Sequence, residues 1–536
     1  MSMNPRCILG TGFLVLMVWM ARAGGAAGDV EPMPYPAASA HAPSPLPDRI
    51  VLTWAGDPST TQAVTWRTDM SIRRAVAEIA VANDYGRTFK PKQVMAETTG
   101  LKSDLSEALY HTVFFDGLTP DCLYAYRVGD GANWSEWFHF RTASAGAKPF
   151  TFIYCGDGQS LLKPHWSRVV REAFRTAPRA AFTLHAGDLI NLYSSDAEWG
   201  EWHAAAGWIN AMVPVIAAPG NHDYYAENAG PKDEMLWTTK DGRAAAVRQT
   251  LERDLDDNRV TTGFRIKATS MDSTIAAEIR MNERRQIVGI DAGVTAISGF
   301  TAAELMGTKP SDAPLHNRPA VPGTPAVAPH WRPQFAFPIQ NAAPGLEETC
   351  YYIDYQGARI VVLDSMRDQE AQLPWLRSVL QENPHAWTIV TFHHPMFSPA
   401  RERDNPEMRA LWKPVLDEFK VDLVLTGHDH TYARAGKLLE KRAGDVAGIA
   451  PYDPEVGTVY VVSVSGPKMY DITNENFVRT AEDTQLYQIV RVEHDELHFE
   501  ARTATNRLYD AFTLKKRGAG LPNELHELLP EQNRRR

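Results

Sequence analysis

Five short polar clusters hold the residues of this chain that could do chemistry. They are Gly156-Asp157-Gly158-Gln159, Gly187-Asp188, Gly220-Asn221-His222-Asp223, His393-His394-Pro395 and Gly427-His428-Asp429-His430. As candidate ligands they supply the carboxylates of Asp157 and Asp188, the carboxamide of Asn221 and the imidazoles of His393, His428 and His430, each cluster standing behind a run of apolar residues. Oxygen and nitrogen donors delivered from the ends of several strands suit a pair of close-set divalent metals, and phosphate-ester hydrolysis is the chemistry such a pair performs.

Spacing tells how these donors would meet. Asp157, Asp188 and Asn221 are 31 and 33 residues apart, the length of one strand-helix-strand repeat, and His393 and His428 are 35 apart. Successive strands would then present their tips side by side. His428 and His430 alternate, so on a strand end or loop they could face two neighbouring ions. A single Gly-Asp pair is weak evidence. All five clusters in order, each behind a strand, form a specific signal.

The apolar runs are Phe150–Tyr154, Ala181–Leu184, Val213–Ala217, Thr388–Phe392 and Val421–Leu425, with helical stretches predicted over Trp166–Phe174, Ala197–Trp208 and Pro406–Phe419. Alternating units of this kind build helix-covered sheets with ligands at the strand ends. The segment 147–515 is expected to be one catalytic domain. It is interrupted at about 240–330 by an insertion in which Ala244–Asp257 reads as a charged helix and Ala313–Pro329 as a Pro/Ala-rich run. Ahead of it, residues 48–143 show only short alternating strands. Their run Leu118-Thr-Pro-Asp-Cys-Leu-Tyr124-Ala-Tyr126 resembles the tyrosine corner of fibronectin type III sandwiches. Residues 516–536 read as a loose polar tail.

At 536 residues, 44% hydrophobic and 22% charged, the chain has a globular composition and is too long for one core. A net charge of −10 leaves no basic surplus for general nucleic-acid binding. Arg6, the apolar run Ile8–Met20 and Ala21-Arg22-Ala23 or Gly25-Ala26-Ala27 make residues 1–27 a signal peptide, followed by a Pro/Ala-rich linker over 28–47. The expectation is export to the periplasm or the medium, with no transmembrane segment once the signal is cleaved. Cys7, Cys122, Cys155 and Cys350 do not make a disulfide scaffold, because only three survive that cleavage.

The sequence resembles the purple acid phosphatase branch of the calcineurin-like metallophosphoesterases from about Asp48 to Leu514. The likeness includes Cys350-Tyr-Tyr-Ile-Asp-Tyr355 and Val459-Tyr-Val-Val-Ser-Val-Ser-Gly-Pro-Lys-Met-Tyr470. It implies an α/β (α+β) four-layer sandwich of two mixed sheets flanked by helices, behind an all-β fibronectin-like domain. It also implies two divalent or trivalent metal ions, Fe, Mn or Zn. Asp188 would bridge both ions, Asp157 and His430 would complete the first, and Asn221, His393 and His428 the second. Asn221 and His222 would face the substrate, with His222 as general acid.

Two departures stand out. Purple members place a metal-binding tyrosine three residues after the bridging aspartate; here that position is Asn191, and Tyr193 is out of register. No ferric tyrosinate is expected. Gln159 stands where non-purple relatives place a histidine ligand, and it is read either as a metal ligand or as a hydrogen-bond partner of coordinated water. Where plant-type members carry substrate-facing histidines this chain has Arg401, Arg403 and Asn405, and Arg401 is taken as a candidate phosphate clamp. His185 and His394 read as support, His165 and His203 as surface or rim.

The reading reached is a dinuclear metal-dependent phosphohydrolase, an acid-phosphatase-like phosphomonoesterase in which a metal-bound hydroxide attacks in line and His222 protonates the leaving group. The alternative is a phosphodiesterase acting on nucleotides, glycerophosphodiesters or phospholipid head groups with the same centre. A more distant one is a non-catalytic exported binding protein. Oligomeric state has no readable signal.

Overall fold

The computed structural model describes residues 35–228, 234–255, 261–272, 275–282, 286–308, 318–319, 323–400, 403–439, 448–473, 477, 479–518 and 520–528. The signal segment 1–27 and Arg401 lie outside the described residues.

Residues 48–141 form two four-stranded antiparallel sheets. One runs Asp48–Thr53, Gln62–Thr68, Glu107–Phe115, Glu97–Lys102, and the other Lys92–Met95, Val76–Val81, Leu123–Gly129, Phe138–Arg141. Val64, Trp66, Val113, Phe115, Tyr126 and Phe140 fill the space between them. The tyrosine corner is present: the Thr119 N–H donates to the Tyr124 hydroxyl at 2.9 Å. Tyr126, two residues on, donates its hydroxyl to the Ala211 carbonyl at 2.6 Å and so ties this sandwich to the next domain.

The larger domain is built on two seven-stranded mixed sheets. The first is ordered Val215–Ala218, Thr183–Ala186, Phe150–Cys155, Leu486–Val492, Glu496–Thr503, Leu508–Lys515, Glu524–Glu527. The second runs Tyr351–Tyr355, Ala358–Val362, Trp387–Thr391, Leu423–Thr426, Val459–Val462, Tyr432–Ala435, Arg479–Ala481. Strands Phe150–Cys155, Thr183–Ala186 and Val215–Ala218 are parallel, as are Ala358–Val362, Trp387–Thr391, Leu423–Thr426 and Val459–Val462. Both parallel sets are buried on both faces, as continuous apolar runs require. Helices Ser167–Thr176 and Asp196–Ala206 cover the first sheet. Leu373–Gln381 and Pro406–Glu418 cover the second through Leu376, Leu380, Trp412 and Leu416.

Three segments differ from the sequence reading. Ala244–Leu255 is a strand, not a helix, in a six-stranded antiparallel sheet of the insertion. Its helix-favouring charged residues pair across the sheet instead, Glu252 with Lys267 at 2.8 Å and Asp254 with Arg265, while Val247 enters a separate apolar core with Trp237, Ile266 and Ile279. The linker is docked at its end: Ala37–Ala40 is a helical turn, and the His41 carbonyl accepts from Arg67 at 3.1 Å. Glu524–Glu527, within the expected loose tail, is an edge strand.

Candidate metal centre

Every cluster singled out in the sequence falls at the C-terminal end of a parallel strand, where the two sheets meet. Two sets of donor atoms converge there within 4.8 Å of one another: Asp157, Asp188 and His430, and Asp188, His393 and His428. Asp188 belongs to both. Asn221 joins the second set, its Oδ1 lying 3.0 Å from His393 Nε2 and 2.8 Å from His428 Nδ1.

Local backbone geometry explains the glycines. Asp188, His428 and His430 all adopt positive φ, at 50°, 75° and 53°. That region is costly for non-glycine residues and occurs where surrounding structure enforces it, commonly at functional sites. A Cβ on Gly427 would fall 2.1 Å from Asp157 Oδ1, and one on Gly220 2.2 Å from Asp188 Oδ1. Only a bare backbone lets the turns close on the carboxylates.

Hydrogen bonds fix each ring. His393 donates Nδ1–H to the Ala186 carbonyl at 2.8 Å, and His430 donates Nδ1–H to the Lys468 carbonyl at 2.7 Å. Each therefore turns Nε2 toward the carboxylates: His393 lies 3.3 Å from Asp188 Oδ1, and His430 lies 3.2 Å from Asp157 Oδ2. Backbone carbonyls that lock ring orientation are the usual outer partners of metal-binding histidines. The backbone N–H of His428 donates to Asp157 Oδ1 at 2.7 Å, and that of His222 to Asp188 Oδ1 at 2.8 Å.

The residues fit a cation pair. Asp157 Oδ2 is buried without a hydrogen-bond partner, which is costly for an anionic oxygen unless a cation meets it. Burial opposes a proton on His393, yet the adjacent Asp188 and Asp157 raise its pKa to about 9. For Asp188, burial again opposes charge, but His393 and His222 hold the carboxyl well below its ordinary range. A field that draws a proton onto a buried imidazole also draws a metal ion. Oxygen and imidazole donors without thiolate suit Mn, Fe or Zn.

Around this centre the other sequence candidates separate. His222 donates Nδ1–H to the Asn191 carbonyl at 2.6 Å, and its Nε2 lies 4.0 Å from Asp188 Oδ2. Gln159 donates its amide nitrogen to Asp188 Oδ2 at 2.5 Å, while its carbonyl oxygen faces Lys468 Nζ at 3.4 Å. Asn191 receives Ser160 Oγ on its side chain at 3.4 Å, and Tyr193 stacks on Tyr225. His185 packs against Trp166 and Trp202, and His394 Nδ1 is 2.9 Å from Ser365 Oγ. His203 is not a rim residue: it is buried, 2.8 Å from Gln334 Oε1.

Sequence reasoning did not single out Lys468 and Tyr470. Arg403 bonds the His428 carbonyl at 3.1 Å and Asp429 Oδ1 at 3.2 Å, touches the His428 ring, and stacks 5.0 Å from the centre of Tyr470. Lys468 Nζ lies 5.7 Å from the same ring centre. Tyr470 itself packs on His430, so two cations and one ring flank both donor sets. No spacing rule reaches a lysine 65 residues from its arginine neighbour; only the loop geometry joins them.

Comparison with known proteins decides the family. Residues 47–142 match the purple acid phosphatase N-terminal domain, and residues 150–254 and 324–432 match the calcineurin-like phosphoesterase domain. The chain belongs to the purple-acid-phosphatase-like metallophosphoesterases. It is similar to human acid phosphatase type 7, 29% identical over 37% of this chain and 47% of that protein. Purple acid phosphatase 1 of Ipomoea batatas is 28% identical over 26% of this chain and 32% of its own length. The chain thus spans 47% and 32% of the length of these two relatives, less than half of either. An acid phosphatase of Aspergillus ficuum is 22% identical over 72% of this chain and 69% of its own. In fold the chain is similar to a purple acid phosphatase from yellow lupin seeds, with TM-score 0.56 and 16% identity over 88% of this chain and 74% of the other. It is also similar to PhoD, with TM-score 0.52 and 13% identity over 90% and 92%. Membership in this family implies a dinuclear metal centre. Among the described residues no helix is long and apolar enough to cross a membrane.

Proposed function

We propose that this metallophosphoesterase is a phosphomonoesterase whose two metal ions are held around Asp188. The observation that carries the reading is the sharing of Asp188 by two donor sets, with the free Nε2 of His222 turned to the same carboxylate. Asp157 and His430 would complete one ion's shell; Asn221, His393 and His428 would complete the other's. Gln159 would orient Asp188 as a hydrogen-bond donor.

When bound, two such ions supply Lewis acidity toward the phosphoryl oxygens and toward an attacking water. The protein's own part follows from its side chains. As the imidazolium, His222 keeps its Nδ1 proton on the Asn191 carbonyl and hands its Nε2 proton to the departing alkoxide, returning to the neutral ring. Arg403 and Lys468 contribute positive charge at the mouth of an otherwise acidic protein. A phosphomonoester carries more negative charge than a diester, so this pair favours the monoester. The apolar segment Ile8–Met20 supports export.

The test compares hydrolysis of nitrophenyl phosphate and bis(nitrophenyl) phosphate by purified protein of measured metal content. Two metal equivalents and faster monoester turnover are expected. A large preference for the bis-ester would establish the phosphodiesterase instead. Metal content near zero, with no hydrolysis after adding Mn²⁺, Fe²⁺ or Zn²⁺, would leave a binding protein.

A further inference from the structure

The loops beside His222 carry a set of apolar and aromatic side chains that the phosphoryl chemistry does not use. Asn191, whose carbonyl holds His222, is followed by Leu192, 55% exposed, and Tyr193. Asp223, next to His222, is followed by Tyr224 and Tyr225. The rings of Tyr193 and Tyr225 stack with centroids 5.2 Å apart and planes within 20°. His222 is therefore bracketed by two segments whose aromatic residues meet each other.

Both halves of this pair are held rigidly. The backbone N–H groups of Asn191 and Leu192 each donate to Glu198 Oε2 at 2.7 Å. The Tyr193 carbonyl accepts from Trp199 Nε1 at 3.4 Å. Tyr225 lies in Tyr224–Glu227, which pairs antiparallel with Thr324–Val327, and Glu227 follows two residues later on the same strand. A third loop adds Leu161, 59% exposed. Ser160 and Leu161 both take positive φ, 67° and 50°, and Ser160 Oγ reaches Asn191 Oδ1, which brings this loop against the same wall. Two consecutive non-glycine residues in that region are held there at a conformational cost, and the result presents a leucine to solvent.

We infer that Tyr193, Tyr225, Leu192 and Leu161 form a leaving-group subsite that favours phosphate esters bearing a planar aromatic group. The inference rests on the phosphomonoesterase reading above. His222 delivers its proton to the departing oxygen, so the remainder of the alcohol must emerge on the His222 side. There it meets stacked phenol rings and aliphatic side chains. The neighbouring carboxylate of Glu227 makes the wall unsuited to a second phosphate and leaves it indifferent to a neutral ring. Ring-on-ring stacking tolerates varied ligands because it needs only a π-face.

The decisive comparison keeps the reacting bond constant and adds only the aromatic group: adenosine 5′-monophosphate against ribose 5-phosphate. The metal-loaded full chain is expected to show kcat/KM about tenfold higher for the nucleotide, the scale of one base stacked on aromatic side chains. In Tyr193→Leu/Tyr225→Leu the ratio should fall toward unity, whereas Tyr193→Phe/Tyr225→Phe should keep it, since the ring and not the hydroxyl makes the contact. Calorimetric affinities of the same two ligands should follow the same ratio. A wild-type ratio near one, or a ratio unmoved in the double leucine variant, overturns the subsite while leaving ribose 5-phosphate hydrolysis as support for the phosphomonoesterase. No hydrolysis of either ester defeats the parent reading, and equal calorimetric affinities would then defeat the subsite as well. If the double leucine variant instead dissociates an oligomer in sedimentation without changing the ratio, the wall covers a second copy of the chain and the inference fails.

Discussion

His222 gives its Nδ1 proton to the backbone carbonyl of Asn191 across 2.6 Å, and Asn191 stands three residues after Asp188. One residue thus fixes two properties of the site. Its carbonyl fixes the ring orientation of the proposed acid, and its side chain supplies no phenolate where a coloured relative would have one. With Nδ1–H held by that carbonyl, Nε2 is the only ring nitrogen left to face a substrate, and donation from it requires the doubly protonated ring.

The first prediction concerns that nitrogen. His222→Ala should lower kcat by ~10²–10⁴ with alkyl phosphates, whose alkoxides need a proton. With nitrophenyl phosphate, which leaves without help, the loss should be much smaller. Bound metal, measured by elemental analysis, should match the wild type because the donor sets around Asp188 are intact. An equal loss with both esters would show that His222 is not a proton donor.

A second prediction concerns colour. Iron-loaded protein should show no tyrosinate charge-transfer band in the visible spectrum. Asn191 occupies the position from which a phenolate would bind, and Tyr193 is engaged with Tyr225. A visible band that disappears in Tyr193→Phe would mean that Tyr193 leaves its stack and reaches the metal.

The clusters were legible because metal chemistry restricts both donor type and spacing. Asp157, Asp188, Asn221, His393 and His428 each follow a buried strand, at spacings of 31 and 33 residues in the first group and 35 in the second, and the pattern of apolar run and donor survives in one dimension. The role of Asn191's carbonyl was not legible, because a backbone oxygen has no residue signature. Lys468 and Tyr470 reach the site only because the Ser465–Tyr470 loop folds back, with Gly466 N–H donating to the Asp157 carbonyl at 2.7 Å. Ala244–Leu255 was misread because its alanines and alternating charges suit a helix in isolation. Nine register pairs with Thr261–Ser270 overrode that preference.

The third prediction lies at the domain junction. Arg49 bonds Asp196 at 2.7 Å, with both side chains buried, and Arg67 approaches the same carboxylate at 3.4 Å. Asp196→Asn should leave two guanidinium groups underpaired in a buried setting, although Arg67 retains Asp48 at 2.6 Å. Removing one partner of a buried pair typically costs about 3–5 kcal/mol. The expected result is a clearly lowered melting temperature, with kcat unchanged at a temperature where the variant is folded. A melting temperature equal to the wild type's would show that the junction does not depend on this pair.

The last prediction is a pH effect on stability. His203 is buried against Trp202, its ring 2.8 Å from Gln334; burial, reinforced by the charge of Arg49, lowers its pKa from 6.5 to about 3. The folded state therefore resists a proton that the unfolded chain accepts. The contribution is fully present above ~pH 6.5 and is lost as the pH falls toward the folded value, on the order of 4 kcal/mol over that interval. Burial lowers His111 and His185 to about 4, so they act in the same direction. Glu348 and Asp364, raised by burial to about 7 and about 6, act in the opposite one. A single substitution isolates the histidine from these. His203→Gln removes the titrating ring and keeps a hydrogen-bonding side chain, so its melting temperature should fall less steeply than the wild type's between pH 6.5 and pH 4. Parallel curves would mean that His203 stays neutral in both states or reaches water in the folded one, and acid sensitivity would then belong to the metal-site carboxylates.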